Sequence, residues 1–180
     1  MNRELIEAID ALAIDSIGVA RVPDESQIPG VRALDLWRNG PNGAMLFWVD
    51  AEPDLNGRGE PVLCDVHLRS TDGTWRVVGG GSASSGPLEE LATDLPPGLH
   101  RLNGSAADGV FLTWAVATPE VAIIRLRDDA GSVRERPPGR DGLVLLGITS
   151  EDPLTQASAV DPAGQPLPTE PLTLWAPSRG

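Results

Sequence analysis

The run Ala44-Met45-Leu46-Phe47-Trp48-Val49 decides how this chain must fold. It has the length of a strand and is apolar at every position, so neither of its faces tolerates water. Residues 110–116 and 143–148 read in the same way. An ordinary sandwich strand with one wet side alternates apolar and polar residues, and these three stretches do not. Each therefore needs a cover on both faces. The chain offers an N-terminal helix and the irregular stretch 79–103 as covers, and a partner protein is the alternative.

Asn2 can cap a helix over residues 3–14, with Leu5, Ile6, Ile9, Leu12 and Ala13 on one face and Arg3, Glu7 and Asp10 facing away. A helix this short is not stable alone, so its stripe should pack on the chain's own sheet, with another chain as the alternative. After Pro23 the helical period disappears, and short apolar runs punctuated by Gly, Pro, Asn and Asp continue to the end. Strands are expected at 33–37, 44–49, 61–69, 74–78, 110–116, 121–127, 132–136, 143–148 and 155–160, with a last one at 172–175. Asn39-Gly40, Asn42-Gly43, Asp72-Gly73, Asp129-Ala130-Gly131, Asp141-Gly142 and the turn from Asp161 to Gly164 supply joins able to take positive φ.

Strands so close in sequence pair antiparallel. About ten of them predict a mostly β fold, an antiparallel β-sandwich or partly closed barrel with one short N-terminal helix. A length of 180 residues fits a single β domain: 1–22 as helix and lead-in, 23–160 as β core, and 161–180 as a proline-rich C-terminal segment. Pro162, Pro166, Pro168 and Pro171 bar that last segment from a central strand. Trp37, Trp48, Trp75, Trp114 and Trp175 are spread over the strands and read as core filling.

The composition excludes several chemistries. A formal charge of -12 repels phosphate backbones and anionic lipid, so neither nucleic acid nor a membrane is the expected partner. All 14 basic residues are Arg, which removes Schiff-base chemistry and a phosphate-loop lysine. Cys64 stands alone, so no disulfide closes within the chain. Glu4, Glu7, Asp10 and Asp15 interrupt the first segment, unlike a secretory signal, and the expected location is cytoplasmic.

Asp50, Glu52, Asp54, Asn56 and Gly57 place oxygen ligands as a calcium loop does, yet Pro53 stiffens the segment and Leu63 stands where a bidentate carboxylate belongs. A solvated acidic loop is the better reading. Gly79, Gly80 and Gly81 before Pro87-Leu88-Glu89-Glu90 imitate a nucleotide loop without its spacing or lysine, and read as a flexible connector. Cys64 and His67 fall on opposite faces of their strand and cannot pair, whereas Asp65 and His67 share a face. No G-x-S-x-G elbow presents a serine, and His100 sits in a Pro-Gly loop. No catalytic residue, metal ligand or cofactor is therefore expected.

The hairpin over 121–136 carries the candidate site. If Val133 joins Ala122, Ile124 and Leu126 on the buried face, then Arg125, Arg127, Arg134 and Arg136 gather on the other, with Arg140 close by. Guanidinium groups so placed would hold an acidic protein segment or a small anion unless Asp128, Asp129 and Asp141 neutralise them.

The sequences Ile124-Arg125-Leu126-Arg127-Asp128-Asp129-Ala130-Gly131-Ser132-Val133 and Ala159-Val160-Asp161-Pro162-Ala163-Gly164-Gln165-Pro166-Leu167 resemble the paired hairpins of uncharacterised bacterial immunoglobulin-like β-sandwich proteins. The resemblance covers roughly residues 121–167, implies a sandwich and transfers no functional residue. The expected function is a non-enzymatic protein-binding or assembly module using its sheet surface and edges, with a protein partner or self-assembly. The alternative is a small-anion-binding barrel or enzyme built on the arginines.

Overall fold

Leu5, Ile9, Ala13 and Ile17 recur every four residues and are all buried, so α1 (Arg3–Val19) lies along a sheet by a single stripe. The computed structural model describes residues 1, 3–24, 28–50 and 59–174. The helix is longer than its expected 3–14 because Ile17 continues the apolar series. It stops where Ala20 turns left-handed, with Ala20 N donating to Ile17 O and Arg21 N to Ser16 O. The expected cap, Asn2, lies outside the described residues.

Three antiparallel sheets follow, and none closes into a barrel. Sheet A runs in chain order through β1 (Val31–Asn39), β2 (Asn42–Val49), β3 (Val62–Thr71) and β4 (Thr74–Ser84). Sheet B orders β5 (Leu99–Ala107), β6 (Val110–Ala117) and, after an excursion, β9 (Leu143–Thr149). That excursion is the hairpin of β7 (Ile123–Asp128) and β8 (Val133–Arg136). With β10 (Thr155–Val160) and β11 (Leu172–Leu174) it makes sheet C in the order β11-β10-β7-β8.

The layers stack as helix, sheet A, sheet B, sheet C, and three cores lie between them. Met45, Phe47, Val49, Cys64 and Val66 meet Leu5, Ile9, Ala13 and Ile17 of α1. Ala44, Leu46, Trp48 and Leu63 turn the other way, onto Leu112, Trp114, Val116 and Leu145 of sheet B. Ala115, Val144, Leu146 and Ile148 leave the far side of sheet B for Ile124, Ala157, Ala159 and Leu174 of sheet C. The runs that demanded two covers thus receive both from the chain itself: β2 lies between helix and sheet, and β6 and β9 lie between sheets.

Of the stretch 79–103, only the part between Ser84 and Leu99 is the irregular cover expected, with Leu88, Leu91, Ala92 and Leu95 packed on the core between sheets A and B. β4 continues through the three glycines to Ser84, and β5 begins at Leu99. Each glycine permits a close approach. A Cβ on Gly79 would come 2.6 Å from that of Ala107, one on Gly80 would sit 2.5 Å from the Asp65 carbonyl oxygen, and one on Gly81 would be 2.9 Å from the Asp65 carboxylate. The residues that let β5 settle on β4 are the ones that leave no side-chain alternation to read.

Candidate functional site

The β7–β8 ladder pairs Ile124 with Arg136, Arg125 with Glu135, Leu126 with Arg134, and Arg127 with Val133. Directly paired residues share a face. Arg125 and Arg127 therefore lie on one side of the hairpin and Arg134 and Arg136 on the other, so the expected four-arginine surface does not form. Val133, expected inside, is 47% exposed. Arg125 Nε instead meets Glu135 at 2.7 Å, and Arg140 donates 2.9 Å to the Pro23 carbonyl.

The register follows from a buried acid that the sequence reading did not weigh. Asp35 is 3% exposed, at a bulge of β1 where register shifts between Ala33 and Asp35. One of its carboxylate oxygens accepts from Leu36 N at 2.8 Å and from Arg136 Nη2, and the other accepts from Leu145 N at 2.7 Å. Arg136 Nη1 also reaches Leu145 O at 3.3 Å. Strands of all three sheets meet at this one carboxylate. Burial pushes the Asp35 carboxyl above its ordinary range, against the opposing pull of Arg136. Leaving such a charge unpaired costs more than exposing one valine, so Arg136 turns inward and Val133 outward.

A second polar cluster lies between sheets A and B. Asp65 and His67 share the inner face of β3, as their spacing predicts, and Ser105 of β5 meets them there. Ser105 Oγ donates to Asp65 Oδ2 at 2.6 Å, His67 Nε2 lies 2.8 Å from both that oxygen and Ser105 Oγ, and Gly81 N donates 2.9 Å to Asp65 Oδ1. The residues are those of a hydrolytic triad, but the connections are not. A triad places the carboxylate on one imidazole nitrogen and the hydroxyl on the other. Here both crowd Nε2, the serine proton points to Asp65, and His67 Nδ1 is buried without a partner, as is Trp114 Nε1. The cluster pins β5 to β3. Ser105 escaped the sequence reading because β5 was not recognised as a strand.

Cys64 is a poor nucleophile, since burial pushes its thiol up to about 12 and Asp65 adds to the effect. The calcium-like segment falls largely on residues 51–58, outside the described residues. Among the described residues no group of three or more His, Cys, Asp or Glu side chains could hold a metal ion. No helix of the described residues is long and apolar enough to cross a membrane.

What remains is an edge. β4 ends sheet A with eleven residues, of which only Arg76 is charged. The other sheet ends are shorter, charged or occupied. β8 has four residues, three of them charged, and β11 has three residues. β1, at the other end of sheet A, carries Arg32, Asp35 and Arg38. β9 has given its Leu145 amide to Asp35, and β5, two residues shorter than β4, lays its Arg101 side chain onto Thr173 O at the edge of β11. Natural sheets protect their ends by those same devices. Beside the open edge, a groove of about 300 Å³ runs beneath the start of α1. Ile6, Ile9 and Asp10 roof it, Cys64, Val66 and Val77 form its wall, and Gly80 and Ser82 its floor.

The described residues thus form a layered antiparallel β-sandwich roofed by one helix, with its longest edge, β4, carrying one charge. Compared with family models, with curated proteins and with solved structures, the chain matches none.

Proposed function

We propose that this chain is a non-enzymatic protein-binding module that takes up an extended segment of a partner protein as a further strand of sheet A. The observation that carries this reading is the edge of β4, long and nearly uncharged where the other sheet ends are short, charged or occupied. Strand addition draws its affinity from main-chain hydrogen bonds, and its selectivity from pockets under alternate side chains. Residues 79–82 present such an edge, since no backbone hydrogen bond from a described loop reaches them. Ser85 N donates to Pro61 O, and strand alternation then turns the Ser82 amide outward. A cytoplasmic setting is supported by the one buried cysteine.

Ser82→Pro deletes an outward donor without breaking the β3 ladder. Recovering tagged wild type and Ser82→Pro from their own cells should give a stoichiometric partner with the first only. An identical partner retained by the folded proline variant overturns the reading.

A further inference from the structure

We infer that the segment bound along β4 is basic as well as apolar, laying apolar side chains into the groove beneath α1 and seating a lysine or arginine on Asp10. This rests on the edge reading above and adds the chemistry of the partner.

Three observations on different elements converge. The groove is lined by apolar side chains and lies on the helix side of the edge. A strand added beyond β4 would direct every second side chain to that side. Of the six exposed large apolar residues among those described, three are here: Met1 and Ile6 at the groove, and Val78 at the neighbouring bulge of β4. Such clustering marks a contact surface, whereas scattered single residues do not. Asp10 supplies the sign. It lines the same groove, and among the described residues no ion pair or hydrogen bond engages its carboxylate, whereas Glu7, one turn earlier, is held by Arg3 at 2.7 Å. Burial, and then Glu7, push the Asp10 carboxyl upward, so a cation arriving there relieves a strain already present.

Charge also decides against a second copy. Each chain carries -12, and joining two β4 edges antiparallel about residues 79–82 would bring both Asp10 side chains to one seam with no basic residue of the strand nearer than Arg76.

The test pans the intact chain against a phage library of random extended peptides, then measures the selected peptides, made synthetically, by calorimetry. The expected winners alternate apolar residues and carry at least one Lys or Arg. Their affinity should fall about tenfold with Asp10→Asn and hold with Asp10→Glu. It should be lost with Ser82→Pro and with Ile6→Arg, which sits on the helix surface, leaves the sheet untouched and supplies Asp10 with a cation in cis. Neutral or acidic winners that ignore Asp10→Asn yet need the Ser82 amide would overturn the basic partner and leave the edge reading standing. Winners indifferent to both Ser82→Pro and Ile6→Arg would overturn the edge reading, and an empty selection overturns both.

Discussion

β8 and β4 each end a sheet, and they end it in opposite ways. β8 is four residues long, and its Arg136 is folded inward onto a buried carboxylate that also holds β9. β4 is nearly three times as long, carries one charge and meets β5 through Gly79 and Gly81. The first edge is consumed in joining sheets, while the second is left available. A sheet end can thus be silenced by turning its charges inward as well as by displaying them.

The largest test of this contrast strikes the closed edge. Arg136→Met should cost about 3 kcal/mol at neutral pH, measured by urea unfolding, because it strands a buried carboxylate. The loss should shrink on acidification. Asp35 has a folded pKa raised above its unfolded value, so stability linked to it is fully present below the unfolded pKa and is lost as pH rises through the folded one. Removing Arg136 raises that value further. An equal penalty at pH 4 and pH 7 would show that the pair is not what holds the three sheets.

On the open side, Gly81→Ala should cost about 2 kcal/mol by pushing a methyl against Ser105 and Asp65. Ser105→Ala should cost about 1 kcal/mol through the lost Asp65 hydrogen bond. Thermal melts of the two variants that match wild type would mean that β5 is not seated as described. Hydrogen exchange sharpens the contrast without mutation. The Leu145 amide, buried and bonded to Asp35, should be among the last to exchange, and the Ser82 amide among the first. The smallest effect falls at the C-terminal end of α1, away from the groove. Ala20→Gly relieves a left-handed alanine, φ 54°, and should stabilise the helix end by about 0.5–1 kcal/mol in a denaturant titration.

Most of the fold was legible because its strands advertise themselves. β2, β6 and β9 are apolar throughout, and this announced covered faces before any cover was known. The strands missing from the reading have physical reasons for silence. Gly79, Gly80 and Gly81 have no side chains to alternate, and β5, with His100, Arg101, Asn103 and Gly104, buries fully only Leu99. The third sheet was unforeseen, because nothing in 121–136 says which of its neighbours it lies against. The arginine register failed on one rule, that valine goes inside and arginine outside. The decisive fact was Asp35, some hundred residues earlier, a long-range partner that local periodicity does not contain. The pairing of Asp65 with His67 on one face was readable from a period of two, but Ser105 was not. The groove under α1 was legible only in part: Ile6 and Ile9 stood in the stripe, whereas Asp10 was expected to point away and in fact lines the hollow.

Sheet B has a neighbour on each side, and its last strand, β9, is separated from β6 by the β7–β8 hairpin. During synthesis, β5 and β6 must wait with a bare apolar flank until β9 and then β10 have been made. That interval exposes a sticky two-stranded ribbon, so the growing chain is most prone to clump after β6 has been made and before β9 follows.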